Sequence, residues 1–339
     1  MIKLRLDPWA TEYNTAFHAE NILEEERKNV DATPEYRDWE AVTPKTPQTS
    51  PFNQFLFVDG TRRLEARVLL EDERKQVAFG ALGSFGIGVV DCCSSGSRAA
   101  NYTDLNTLGI KMVNRICALS SGHTLPIFAL ESGLRHRLGK LEYEVETTEE
   151  RDADAVVRRI QFAMLRAEGK LASRLISAHP DALVVTDGPL PRMGFVKNVV
   201  GYVKTIHQVP ITEEQLNVVR GLEQGQRSPL YLVTGNDKSQ QYFEWFLRLR
   251  DPRPWLYSLA GIVRLQAYAS QQPENRLDEV RALADWLALT LPRFASHQHQ
   301  DPRAPQQLLP IRGLESELRR RMGDAGVIRR RIMSYLSES

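Results

Sequence analysis

Three carboxylates in this chain occupy positions where a charge is costly. Asp187 ends the apolar run ALVVTD and is followed by Gly188 and Pro189, and Asp59 ends FLFVD and is followed by Gly60. Glu168 falls between Met164 and Leu171 on the apolar stripe of a long helical segment, where a buried acid needs a partner. Taken singly, each has a local reading: an Asp before Gly caps a turn, and a Glu at the edge of a stripe reaches out to water. Taken together, three converging acids repel and raise one another's pKa unless a cation sits among them. Hard oxygen ligands favour Mg²⁺ or Mn²⁺, and two such ions suit phosphodiester hydrolysis, one activating water and the other stabilising the leaving oxygen.

Convergence requires particular elements. The stretch FNQFLFVDGTRRLEARVLL reads as a strand ending at Asp59, a turn, and a second strand ending near Leu70; the glycine-interleaved run VAFGALGSFGIGVVDCC, 77–93, reads as a third. Three successive antiparallel strands are expected, the glycines marking bulges or close backbone approach. Asp152 to Ala178 has Val157, Ile160, Met164, Leu171 and Leu175 at helical three-and-four spacing, which predicts a core-facing helix. The apolar run into Asp187 then forms a buried strand, and chemistry gathers at the carboxyl ends of such strands. A right-handed crossover would place the first and last of these strands side by side and make neighbours of Asp59 and Asp187. The segments between Asn101 and Leu138 are not assigned, and no internal repeat is found.

The chain has 339 residues, 42% of them hydrophobic, enough for a sizeable core in one large or two modest domains. Its 44 Lys and Arg against 43 Asp and Glu give a net charge of +1, so local charge must decide whether a polyanion binds. Cys92, Cys93 and Cys117 form no CxxC pair and no disulfide framework, which fits a reducing cytoplasm. No signal peptide or membrane-spanning run is read. The expectation is a soluble cytoplasmic protein. Residues 1–51 read as an N-terminal arm and an extended Pro, Thr and Ser-rich connection, and 52–339 as the functional domain.

These residues resemble the NurA nucleases, on FVDG at Asp59, on LRAE at Glu168 some nineteen residues before VVTDGPL at Asp187, and on VVGYVKT. The resemblance continues through YFEWFLRL, GIVRLQA and DPRAPQQLLPIRGLESELRRRMGD. It implies an α/β fold with a ribonuclease H-like mixed sheet flanked by helices and a helical C-terminal extension. It also implies Mn²⁺, with Mg²⁺ as the alternative, held as two ions by Asp59, Glu168 and Asp187. Tyr202 and Lys204 match the motif after the DGPL strand, Lys204 contacting a phosphate or stabilising the transition state. Where relatives carry a late helical His, Asp285 in RALADWLALTLPRF is the corresponding ligand; His297 and His299 follow in a polar loop, and His207 is structural or exposed.

By the same resemblance the chain is a homodimer working with a HerA-type hexameric ATPase that feeds duplex DNA into the nuclease. No P-loop GxxxxGK[ST] occurs here, so ATP-driven movement belongs to another chain. The expected activities are 5′ to 3′ exonuclease and single-strand endonuclease, in DNA end resection and repair or in antiviral defence. A noncatalytic DNA clamp supporting the ATPase and a nuclease acting on RNA stay open. Arg62 and Arg63, three and four residues after Asp59, together with Lys197, Arg248, Arg250 and Arg264, are candidate backbone contacts. Phe195, Tyr242, Trp245 and Trp255 can stack on unpaired bases or fill the core, the latter favoured because YFEWFLRLR alternates like a half-buried strand. The basic C-terminal LRRRMGDAGVIRRRIMSY can hold DNA, dock on a partner or stay solvated. The segment before residue 52 is the candidate dimer or ATPase contact.

Overall fold

The computed structural model describes residues 3–6, 29–45, 51–71, 77–93, 100–120, 141–191, 195–204, 210–235, 241–251, 256–297 and 303–337. Its strands are β1 (Lys3–Leu6), β2 (Asn29–Asp31), β3 (Gln54–Glu71), β4 (Val77–Cys93), β5 (Ala100–Tyr102) and β6 (Val113–Ser120). They continue with β7 (Glu144–Thr148), β8 (Ala182–Asp187), β9 (Val199–Val203), β10 (Tyr231–Thr234), β11 (Gln241–Arg248) and β12 (Ile262–Tyr268). The α-helices are α1 (Ala153–Ala178), α2 (Glu213–Arg220), α3 (Leu277–Thr290), α4 (Leu309–Arg321) and α5 (Ala325–Ser337).

All twelve strands belong to one mixed sheet, in the order β2-β10-β11-β12-β9-β8-β3-β4-β6-β7, with β1 added to β3 and β5 to β4. The β3–β8, β8–β9 and β6–β7 pairs are parallel and the other ladders antiparallel. Side chains alternate across a strand, and the two faces acquire separate cores. Phe55, Phe57, Leu183, Val185, Val200 and Tyr202 pack under α3 and α4. Leu56, Val58 and Val184 pack under α1 with Val157, Ile160, Met164, Leu171 and Leu175. Each fully buried aliphatic side chain of this kind contributes about 1.5–3 kcal/mol, so the stripe read on α1 is what holds the helix to the sheet. Asp152 caps it, accepting the Ala155 N–H.

One expectation is overturned. The two runs on either side of Asp59 and Gly60 are a single strand, and the turn predicted between them does not form. Gly60 is required for another reason: a Cβ there would lie 2.1 Å from Glu168 Oε1, so the glycine admits the α1 carboxylate against the strand. The antiparallel three-strand set is β3, β4 and β6, the last lying in the stretch the sequence leaves unassigned. In contrast, the second Asp-Gly does turn, Gly188 having φ +101° in the left-handed region open to glycine. The glycines of β4 act as expected for close approach, Gly88 leaving room for Leu314 of α4. β11 is buried on both faces toward its end rather than half-buried.

Part of the expected N-terminal arm is integrated into the fold. β2 extends the sheet edge at β10, Val42 bridges Arg227, and Glu35 is buried against Arg227. No helix among the described residues is long and apolar enough to cross a membrane.

Candidate metal centre

β3 and β8 run parallel in register, Val58 beside Thr186, so Asp59 and Asp187 come one residue later at neighbouring positions and on the same face as Phe57 and Val185. α4 crosses that face, bringing Glu315 down between Ile311, Leu314 and Leu318. Carboxylate oxygens of Asp59, Asp187 and Glu315 lie within 4.8 Å of one another. This acidic triad can hold a metal ion. Glu168 approaches from the opposite face, its Oε1 over Gly60, and contributes to the same field.

The electrostatics show an excess of negative charge. Asp59 Oδ1 accepts the Gly60 N–H at 2.8 Å, while Oδ2 is buried without a hydrogen-bond partner among the described residues. Burial, then Asp187, drives the Asp59 pKa well above the usual carboxylate range against the pull of Lys204, and Glu168 and Glu315 add to the rise. Burial and Asp187 push Glu168 up to about 8. Asp187 is raised by burial even though Lys204 Nζ lies 2.6 Å from its Oδ2. Glu315 is the exception: burial pushes it upward, but hydrogen bonds from Arg303, at 3.1 and 2.8 Å, hold it below its ordinary value. An orphaned, buried carboxylate oxygen in a site of hard oxygen donors fits a divalent cation, which would reverse the sense of these shifts.

The turn after Asp187 is fixed by its neighbours. Gly188 N–H donates to the Tyr202 carbonyl at 2.8 Å, and Leu190 N–H to Gln266 Oε1 at 3.0 Å. Gln266 keeps that orientation because its Nε2 donates to Glu244, an acceptor on both oxygens that also receives the Tyr231 hydroxyl.

Several expected site residues lie elsewhere. Asp285, expected as a ligand, accepts from Arg227 Nε at 2.6 Å, because its helix face turns toward the β10 side of the sheet, where Arg227 also binds Glu35. Tyr202, expected at the substrate, is fully buried, its hydroxyl donating to the Gln306 carbonyl at 2.6 Å; register places it beside Asp187 on the neighbouring strand. Arg62 alternates onto the α1 face and binds Gln161. Arg63 donates to the Gly323 carbonyl at 2.8 Å and ties down the end of α4. Arg264 lies 3.6 Å from Glu244, on the face away from Tyr202.

The remaining candidates divide similarly. Arg248 is buried beneath the carbonyls of Leu222, Ala260, Arg220 and Ser258, Lys197 pairs with Glu279 at the surface, and Arg250 lies beside His297. Trp245 is buried and Tyr242 half-buried, whereas Phe195 is exposed beneath the Arg276 guanidinium. His207, His299 and Trp255 lie outside the described residues.

Glu315 and Arg303 were missed, although a signal for Glu315 was present. Met164, Glu168 and Leu171 have the same four-and-three spacing as Ile311, Glu315 and Leu318, so the test that singles out one stripe-borne Glu singles out the other. No family model matches this chain, and no curated protein matches it.

Proposed function

We propose that this chain is a metal-dependent deoxyribonuclease of the NurA type, built on a ribonuclease H-like core. The observation that carries the reading is the Asp59, Asp187 and Glu315 group, in which one buried Asp59 oxygen has no hydrogen-bond partner among the described residues. The parallel β3–β8 pair with α1 delivering Glu168 supports it, as do the motifs around Asp59, Glu168, Asp187 and Lys204. Mn²⁺, with Mg²⁺ as the alternative, is the proposed cofactor, in two positions shared among these four acids.

Hydrolysis joins a water oxygen to phosphorus and breaks the ester P–O bond, the leaving oxygen taking up a proton. A hard divalent ion, when bound, supplies the charge that acidifies water and neutralises developing oxyanions. The chain's part is to orient the acids, with Asp187 fixed by its turn and Asp59 by its strand. Lys204, one residue past β9 and paired with Asp187, stands ready to turn its ammonium toward the phosphoryl oxygens as charge develops.

The proposed role is 5′ to 3′ exonuclease and single-strand endonuclease action in DNA end resection, in the cytoplasm, by a homodimer coupled to a HerA-type hexameric ATPase; use of the same activity in antiviral defence is the alternative setting. The test is cleavage of end-labelled single-stranded and duplex DNA in Mn²⁺, Mg²⁺ or EDTA, by the unaltered chain and by Asp59→Ala and Asp187→Ala, with and without the cognate ATPase. Metal-dependent cutting lost in both variants is expected. No cutting under any condition, with DNA or ATPase binding intact, would replace the nuclease by a noncatalytic clamp.

A further inference from the structure

The arginines expected to hold the DNA backbone next to the acids, Arg62, Arg63 and Arg264, bind Gln161, the end of α4 and Glu244 instead. Arg303 stands in a different position. Its guanidinium makes a two-pronged contact with Glu315, at 3.1 and 2.8 Å, and Glu315 shares the acidic triad with Asp59 and Asp187. Glu315 is enclosed, with 13% of its side chain exposed, but the Arg303 side chain is 49% exposed. The cation therefore bridges the acidic triad and solvent.

The backbone beneath Arg303 is firmly held. Gln307 N–H donates to the Arg303 carbonyl at 3.1 Å, Ser296 N–H to the Gln307 carbonyl at 3.0 Å, and the Tyr202 hydroxyl to the Gln306 carbonyl at 2.6 Å. Gln307 is fully buried. A half-open guanidinium on an anchored turn, at the edge of an acidic centre, has the planar fork geometry that matches two oxygens of a phosphodiester.

Resting on the nuclease reading, we propose that Arg303 is a substrate-binding residue that clamps the DNA phosphate at the acidic triad. In the free chain Glu315 occupies the fork. When a cation binds the triad, Glu315 has a competing partner, and the guanidinium exchanges one pair of oxygens for another, those of the phosphate. Arg303 in this way links loading of the acids to capture of the substrate. It is not itself a ligand.

Arg303→Ala, Arg303→Lys and the unaltered full-length chain are compared in three measurements: the salt dependence of binding to a fluorescent single-stranded oligonucleotide in EDTA and in Ca²⁺, the affinity for Mn²⁺ alone, and kcat and KM for cleavage. Arg303→Ala is expected to weaken oligonucleotide binding in Ca²⁺ about tenfold and reduce its salt slope by about one, while Mn²⁺ affinity is unchanged or rises because Glu315 loses a competitor. Arg303→Lys is expected to restore the slope, which counts charge, but not KM, which needs the fork. A salt slope and KM unchanged in Arg303→Ala would overturn the proposal. So would a fall in Mn²⁺ affinity matching the loss of cleavage, which would mean that Arg303 only positions Glu315. If the unaltered chain binds DNA but never cuts it, the nuclease reading fails, and the salt slopes still decide whether Arg303 holds phosphate.

Discussion

Two buried groups of charge in this molecule contain similar residues and do opposite things. In one, Glu35 and Asp285 meet Arg227 and Arg281; Arg227 and Glu35 are almost wholly enclosed, and Glu35 accepts from both arginines and from the Leu230 N–H. Acid and base are balanced, and the cluster fastens the N-terminal segment to the sheet edge. In the other, Asp59, Glu168, Asp187 and Glu315 share Lys204 and Arg303, and one Asp59 oxygen has no hydrogen-bond partner among the described residues. A balanced cluster is a fastening, whereas an imbalanced one can hold a cation. Asp285, paired with Arg227, belongs to the first kind.

The sharpest way to break this contrast is to neutralise each cluster and ask what is lost. Asp59→Asn or Asp187→Asn should reduce DNA cleavage by at least about a thousandfold without lowering the denaturation midpoint of the metal-free chain; destabilisation instead would place these acids with the fastenings. Arg227→Ala should do the reverse, costing about 3–5 kcal/mol in urea unfolding because it strands Glu35 in the interior. A midpoint that hardly moves would show that cluster to be dispensable.

A finer test uses pH. Glu168 has a folded-state pKa raised from 4.5 to about 8, and Asp59 and Asp187 are raised too. A raised acid contributes stability that is fully present below its unfolded pKa and lost as pH climbs through the folded one. In EDTA the melting temperature should therefore fall between pH 4.5 and about 8, and Mn²⁺, which favours the ionised acids, should reverse that fall. Glu168→Gln should flatten the EDTA curve and, at its alkaline end, raise the melting temperature by about 2–4 °C per kcal/mol recovered. A flat curve for the unaltered chain would mean that these acids ionise without penalty. The smallest effect is expected from Asp285→Asn: within about 1 kcal/mol, since the residue is partly solvated, with Mn²⁺ affinity by calorimetry unchanged. A weaker affinity would return Asp285 to the metal centre.

What could be read in advance follows from how local each cause is. The α1 stripe and the strand ending at Asp187 depend on periodicity and nearby residues, and they form as expected. The Asp59–Gly60 pair was misread because a glycine needed for a turn and one needed for close approach look alike in one dimension, and only Glu168 across the fold separates them. Glu315 carries the same spacing signal as Glu168, but it sits in a helix rich in Arg and Glu where Glu317 pairs with Arg320 and Arg321, so its charge looks like one more solvated face. Gln161, Gly323 and Glu244, which bind Arg62, Arg63 and Arg264, lie on other elements, although Arg63 also pairs with Glu65 two residues on.

Placing Glu315 on α4 has a consequence in time. Asp59 lies in a strand whose antiparallel partner β4 follows at once, so its surroundings begin to form early. The carboxylate that completes its triad arrives about 250 residues later, roughly 12 to 50 s of ribosomal synthesis. Until then the emerging chain carries the first acids without the last, and the triad that could hold a metal ion is incomplete.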